Sequence, residues 1–517
     1  MPRATEPILI RPGELRLPTL RRVLAGPGRI KLPARARQAV EKCHAVIAEI
    51  LARDVAVYGL NTGFGSLAHV RIPAHEVAEL QRNLVLSHAV GTGPLLDDAI
   101  VRLVLVLKIA ALARGHSGTS WQLVEALLRL LEADVLPCIP AKGSVGASGD
   151  LAPLAHLAAA LIGAGEIRHQ GRTLSAAEGL ALAGLAPLTL GPKEGLALLN
   201  GTQVSTALAL DGLFKAENLF NAALVSGALS VEAARGSDTP FDARIHALHG
   251  RSGQAEVAQV LWQLLAGSEI RQSHLVADDR VQDPYSLRCQ PQVMGACLDH
   301  LRFAAEVLER ESNAVTDNPL IFPDDRAVLS GGNFHAEAVA MAADMLAIVI
   351  AEIGALAERR VALLVDDHFS TLPPFLVEKS GLNSGFMAAQ IAAAALASEN
   401  KSLAHPASID SLPTAANQED HVSMATYAAR RLAEMADNVA AILGIELMAA
   451  AQGVEFHAPL QTSAPLRQAL AQIREAVPRL ERDRFMAPDI AAAKALVRDA
   501  AFNGAIAPPL APSLSPT

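Results

Sequence analysis

The sequence predicts a mainly α-helical protein: a long central helical bundle joined to an N-terminal, loop-rich domain that holds the unusual chemistry. Two observations predict it. Aromatic residues are 3% of a chain that is 51% hydrophobic, so the core is built from aliphatic side chains and alanine, which suits closely packed helices better than a β-sandwich. Proline is absent from 193–239, 324–372 and 414–458, and proline ends or kinks helices.

Within the second stretch, His335 to Val365 carries aliphatics at helical spacing with few charges, and Asp420 to Gly453 does the same in the third. Helices of about 30 residues are about 45 Å long. Being apolar around most of their circumference, they need partners on several sides, which predicts a bundle and burial between subunits in an oligomer. The first 190 residues have shorter periodic segments, Asp97 to Gly115 and Thr119 to Asp134, separated by glycine-rich loops. Strand-like runs are confined to Pro7 to Ile10 and Val55 to Tyr58, so any sheet is minor. We divide the chain into 1–192, 193–504 and a charge-free tail, 505–517, expected to be a loose extension.

Lysine and arginine number 44 against 53 aspartate and glutamate, a net charge of −9. That leaves no basic excess for a polyanion, and no nucleic-acid partner is expected. The charge-free run Ser380 to Ser398 contains Asn383, Ser384 and Gln390, which lipid would leave unpaired; it reads as a buried helix, and no membrane span is expected. Met1 to Ile10 carries Arg3 and Glu6 and lacks the apolar core of a secretory signal. Four scattered cysteines, Cys43, Cys138, Cys289 and Cys297, make no disulfide framework, so a reducing, cytoplasmic setting is expected.

Lys142-Gly143-Ser144-Val145-Gly146-Ala147-Ser148-Gly149-Asp150 surrounds a serine with small residues and leads into Leu151-Ala152-Pro153, the pattern of a helix start. A glycine-rich cap is the plain interpretation. The spacing is neither that of a phosphate loop nor the Gly-x-Ser-x-Gly of a hydrolase. Ala147-Ser148-Gly149 permits another reaction. The Gly149 nitrogen, unhindered by a Cβ, can attack the Ala147 carbonyl carbon, and loss of two waters turns Ser148 into an exocyclic methylidene. The product, 4-methylidene-imidazol-5-one (MIO), is an electrophile that no side chain supplies. A helix beginning beside it adds positive potential.

Seven strings occur in order: Tyr58-Gly59-Leu60-Asn61-Thr62-Gly63-Phe64-Gly65, Asn83-Leu84-Val85-Leu86-Ser87-His88, the Ala-Ser-Gly segment, Leu199-Asn200-Gly201-Thr202-Gln203, Gln282-Asp283-Pro284-Tyr285-Ser286-Leu287-Arg288, Gly331-Gly332-Asn333-Phe334-His335 and Asn417-Gln418-Glu419-Asp420-His421. Together they resemble the aromatic amino acid ammonia-lyases over nearly the whole chain, from about Ile8 to Leu510. The resemblance implies a fumarase/aspartase-like helical fold and a homotetramer whose sites are shared between subunits. It also implies an electrophile made autocatalytically from Ala147, Ser148 and Gly149, with no metal and no external cofactor.

By the same resemblance Tyr58 is the base that removes the β-proton. Asn200, Gln282 and Tyr285 steady the prosthetic ring and the developing charge, and Phe334 forms an aromatic wall. Tyr285 and Arg288 lie three apart, so one helical turn can point both into a cleft, and the Arg288 fork matches a substrate carboxylate. The resemblance also implies that His88 and Glu419 face the substrate side chain. A carboxylate suits an imidazole N–H and suits a phenyl ring badly, so Glu419 favours L-histidine as substrate and trans-urocanate as product, the first step of histidine degradation. A tyrosine or phenylalanine lyase or aminomutase with the same electrophile is the nearest alternative, and a helical scaffold without catalysis the more distant one. The chain departs from the pattern at His116, where phenylalanine is expected; this concerns the surroundings of the site. His335-Ala336-Glu337 has no Cys-x-x-Cys after it to complete a zinc deaminase motif, and His246 with His249 shows no further ligand cluster, so no metal is expected.

Overall fold

The computed structural model describes residues 7–52, 56–250, 252–276 and 280–514. Nine helices matter to the site: α1 Val77–His88, α2 Asp98–Leu112, α3 Trp121–Glu132, α4 Leu151–Leu161, α5 Gln203–Ala233, α6 Gln290–Ser312, α7 Glu337–Val365, α8 Met387–Leu403 and α9 Ala425–Glu455. The three proline-free stretches thus contain helices of 31, 29 and 31 residues. The fourth long helix, α6, has 23 residues and was not anticipated. Its Pro291 sits in the first turn, where the missing N–H has no intrahelical acceptor to lose.

Helices α5, α7 and α9 pack on one another, α6 lies against α5 and α7, and α8 lies against α7 and α9. Small residues set the spacing: a Cβ on Gly212 of α5 would stand 2.5 Å from Leu432 Cδ1 of α9. The apolar core runs continuously from Ile8 to Leu510. Helix α7 is long and apolar enough to cross a membrane, yet it lies within the bundle, with Glu358 and Arg360 buried. Its Arg360 forms a fully buried ion pair with Glu446 of α9, and Ser226 and Ser230 of α5 donate to the same carboxylate at 2.7 and 2.8 Å. Every oxygen of this buried charge therefore has a donor, as a low-dielectric interior demands.

Strands are few and short. Ile8–Leu9 pairs in parallel with Ile30–Lys31, as the run from Pro7 to Ile10 suggested. Thr92–Leu95 pairs antiparallel with Pro140–Lys142, which delivers the chain to Gly143. In the other expected run, Val55 lies outside the described residues, and Tyr58 opens a turn in place of a strand because the Asn61 side chain accepts from the Val57 amide at 2.8 Å.

Two expectations are corrected. The Ser380 to Ser398 run is not a buried helix: α8 starts at Met387 and buries one stripe, Ala389, Ala393 and Ala397, while Ile391 is 61% exposed, because α8 flanks the bundle. The tail is not loose over its described part, up to residue 514. Ile506, Leu510 and Ala511 are buried, the Ser513 amide donates to Glu217 Oε1 at 3.0 Å, and Arg21 donates to the Ser513 hydroxyl at 2.6 Å. Burial pushes the Glu217 carboxyl up from its ordinary value, and the Ser513 donors oppose that shift.

Glu446→Gln leaves Arg360 as an unpaired buried charge and is expected to lower unfolding stability by about 3–5 kcal/mol, read by urea unfolding. Replacing Arg360 with Met in the same chain should recover most of that loss.

Candidate active site

Residues 143–150 form a loop on which four helices begin: α4 at Leu151, α5 at Gln203, α7 at Glu337 and α9 at Ala425. Each helix start contributes a contact. The Asp150 amide donates to Gly201 O at 2.8 Å, the Ala336 amide to Gly146 O at 3.2 Å and the Met424 amide to Val145 O at 2.8 Å. The Ser423 hydroxyl donates to Gly146 O at 3.0 Å. The positive ends of four helix dipoles thus converge on one short segment, which favours negative charge developing there.

Gly149 has φ +69°, and an added Cβ would lie 2.3 Å from Gly201 O. It pairs with Gly201 as an isolated parallel bridge. Beside it, the Asn200 amide donates to the Ser148 carbonyl at 2.7 Å. Asp150, fully buried, accepts from the Ser205 amide and hydroxyl at 2.7 and 2.9 Å, from Thr426 at 2.7 Å and from Ser144 at 3.2 Å. Burial pushes its carboxyl up, and these four donors hold it back.

Ser148 opens into a cavity of about 1020 Å³. The structure brings Tyr58, His88, Ala147, Ser148, Asn200, Phe334 and Glu419 together on its wall. The Tyr58 hydroxyl accepts from the Gly65 amide at 3.3 Å, and its ring meets Phe64 edge-on at 6.0 Å. His88 ends α1, and its Nδ1 lies 2.8 Å from Leu84 O; a carbonyl only accepts, so Nδ1 carries the proton and a neutral ring offers Nε2 as an acceptor. Glu419 Oε1 accepts from the Ser148 hydroxyl at 2.6 Å and Oε2 from Thr414 at 2.6 Å.

Gln282, Tyr285 and Arg288 are not on this wall. Tyr285–Arg288 does form one helical turn, but Tyr285 is 71% exposed and Arg288 donates to Asp283 O at 2.9 Å. Asp283 in turn accepts from the Ser237 amide at 2.6 Å, just beyond the C-terminus of α5. Asn200 stands just before the N-terminus of that 31-residue helix, so helix length places the two groups about 45 Å apart within one chain.

Sequence reading missed several supporting residues. Ser144, Ser205 and Thr426 satisfy Asp150 from three different elements, which no spacing discloses. Lys108 lies fully buried beneath Asn200, donating to Ala197 O at 3.1 Å and Asn200 O at 2.9 Å; its signal was a single charge inside the apolar run of α2. The structure adds His421 to the His335 and Glu337 pair already visible in sequence: their ligand-capable atoms lie within 4.8 Å of one another, and the two histidines line the cavity. His335 Nε2 lies 3.2 Å from His421 O and so carries a proton, which leaves Nδ1 as the ligating nitrogen of that ring. His246 uses both ring nitrogens, on Pro240 O at 2.9 Å and on the Gln254 amide at 3.0 Å. His116 holds Ile321 O at 2.9 Å and tilts against Phe322, away from the wall residues.

Residues 15–475 match the family described as aromatic amino acid lyase. A histidine ammonia-lyase of Desulfotalea psychrophila is 58% identical over 98% of this chain and 99% of its own. One of Rhodospirillum rubrum is 60% identical over 97% and 98%. Among solved structures, a histidine ammonia-lyase from Trypanosoma cruzi superposes with a TM-score of 0.91 at 38% identity, covering 98% of each chain. A tyrosine aminomutase from Streptomyces globisporus also gives 0.91, at 35% identity over 97% of this chain and 99% of that one.

Gly149→Ala forces a methyl group into the Gly201 backbone and a left-handed φ on alanine, and is expected to cost about 2–4 kcal/mol of unfolding stability. Ser148→Ala, which removes only a hydroxyl at the cavity wall, should stay within about 1 kcal/mol of the parent; urea unfolding distinguishes the two.

Proposed function

The chain belongs to the aromatic amino acid lyase family, and from that premise we propose that it eliminates ammonia from L-histidine to give trans-urocanate. The family is the MIO-dependent class. Here the ring would form from Ala147, Ser148 and Gly149, and the surrounding residues fit it. Gly149 has no room for a Cβ, Asn200 already donates to the Ser148 carbonyl, and Asn200 Oδ1 is a buried oxygen with no partner in the open loop. When formed, the ring supplies a neutral electrophile that converts a poor amine leaving group into a good one.

The observation that carries the substrate reading is Glu419. Thr414 and the turn after it hold this carboxylate against Ser148 at the cavity wall. Dehydration of Ser148 removes the hydroxyl on Oε1, so the same event that makes the electrophile turns a carboxylate oxygen toward the cavity. An imidazole N–H satisfies that oxygen, whereas a phenyl ring strands it. His88, with Nε2 free to accept, reads the other edge of the imidazole. Tyr58 takes the β-proton, Phe334 closes the wall, and the converging helix ends stabilise the negative charge that develops as the proton leaves.

Arg288 holds the substrate carboxylate, and Gln282 and Tyr285 steady the ring, from a second copy. The separation of about 45 Å within one chain supports a site shared between subunits of a homotetramer. A reducing, cytoplasmic setting agrees with four free thiols, of which burial pushes Cys43 up to about 11 and Cys297 up to about 12, leaving both unreactive.

Purified protein mixed with L-histidine is expected to build ultraviolet absorbance from a conjugated acrylate, while L-tyrosine and L-phenylalanine leave the baseline flat; growth with a phenyl or phenolic substrate in its place would overturn the specificity reading. Glu419→Gln should lower kcat/KM for L-histidine about 10- to 100-fold. A mixture of inactive Ser148→Ala and inactive Arg288→Met chains, co-refolded, should regain activity through hybrid sites, and no recovery would argue against sharing.

A further inference from the structure

Four cations are buried among the described residues: Lys108, Lys193, Arg360 and Arg431. Three are paired with a carboxylate, Lys193 with Asp317, Arg360 with Glu446 and Arg431 with Asp344. Among the described residues Lys108 has no ion pair, and it donates to the two backbone carbonyls of Ala197 and Asn200. A lone buried ammonium is among the costlier groups an interior can hold, and this one sits in the middle of α2, where its neighbours are aliphatic.

Its acceptors are the end of the short helix Glu194–Leu199 and the residue that follows. Past that point the chain must do three things within two residues. Asn200 places its amide on the Ser148 carbonyl, Gly201 lies against Gly149, and Gly201 O accepts from the Asp150 amide. The segment is therefore gripped from both sides, by Lys108 at the Asn200 carbonyl and by residues 148–150 on the other face.

We propose that Lys108 is a positioning residue for the lyase reaction: by fixing the Asn200–Gly201 backbone it sets where the Asn200 amide meets the Ser148 carbonyl and how closely Gly149 is pressed. The proposal rests on the functional reading above. It predicts an effect on the electrophile and on turnover with little effect on substrate affinity, because Asn200 addresses the Ser148 carbonyl and His88 and Glu419 address the substrate.

The charge state has a separate signature. Burial pushes Lys108 down to about 7, with Asp317 and Asp150 raising it and Lys193 lowering it further. In the unfolded chain it titrates at 10.5. Between those values the native state binds fewer protons than the unfolded one, so this group makes stability rise with pH through that window and is at its most costly below it. A neutral amine still has two N–H groups for its two carbonyls, so the contact outlasts the proton.

The experiment compares wild type, Lys108→Met and Lys108→Gln as assembled protein, in three readouts: the mass of the peptide spanning Ser148, kcat and KM for L-histidine, and the thermal midpoint at pH 7 and pH 9.5. Lys108→Met is expected to lower kcat about 10- to 100-fold with KM within about twofold, or to leave the Ser148 peptide short of its full loss of two waters. Lys108→Gln, which keeps an N–H donor, should restore part of the loss and provides the test if the Met variant does not fold. Wild type should gain more in thermal midpoint from pH 7 to 9.5 than either variant. A Lys108→Met enzyme with wild-type kcat and full water loss overturns the proposal and leaves the functional reading intact. Wild type that neither loses water nor acts on L-histidine overturns both.

Discussion

Gly149 and Gly201 meet backbone to backbone, so closely that a single methyl group on Gly149 would stand 2.3 Å from a carbonyl oxygen. Much of the site follows from that contact. The bridge holds the end of the 143–150 loop against the segment that starts α5, and Val145 and Gly146 are held from the far side by the starts of α9 and α7. Gly146 is crowded in the same way, with an added Cβ 2.2 Å from the Ser423 hydroxyl. Small residues are required here because helix ends, with their unsatisfied N–H groups, are packed onto a loop from several directions. The crowding that excludes side chains also gathers positive potential, so steric and electrostatic demands select the same arrangement.

Helix length has a second consequence. The bundle helices that build the core also separate the Asn200 end of α5 from its Ser237 end by about 45 Å. Groups suited to binding a carboxylate stand at one end, and the serine and its carboxylate partner stand at the other. A single copy presents both halves at opposite ends of that helix. In the proposed reading, antiparallel association of long helices closes that distance without any flexible segment, and the apolar surface left on α6 and α7, including Phe303 at 53% and Met341 at 60% exposure, gives such association something to bury.

The helical fold was legible because proline spacing and aliphatic periodicity are local properties. The three longest helices fall inside the three proline-free stretches, and the two delimited by aliphatic periodicity, His335 to Val365 and Asp420 to Gly453, differ from the observed helices by at most five residues at either end. Helix α6 was hidden because proline in a first turn is silent, and the docking of residues 506–514 was hidden because it depends on a buried carboxylate 296 positions away. At the site, Ala147-Ser148-Gly149 was legible from its chemistry, and Tyr58, His88, Asn200, Phe334 and Glu419 from the strings around them. What no string revealed was the support: Asp150 is satisfied by donors from three elements, and Lys108 was one charge in an apolar helix. Such partners are chosen by tertiary proximity, which leaves no periodic trace.

Glu419 shows why activation and specificity belong together here. In the unmodified loop its Oε1 already accepts from the Ser148 hydroxyl and its Oε2 from Thr414, so each oxygen has one protein donor. Ring closure, as proposed, consumes that hydroxyl. Oε1 of this half-buried carboxylate is then left to water, and a bound ring that displaces the water without offering an N–H costs about 1–3 kcal/mol. A substrate bearing an N–H at the right place removes that cost, and one bearing only C–H groups does not. In the proposed reading, discrimination arises from a polar atom stranded by the chemistry that arms the site, with His88 reading the other edge of the imidazole.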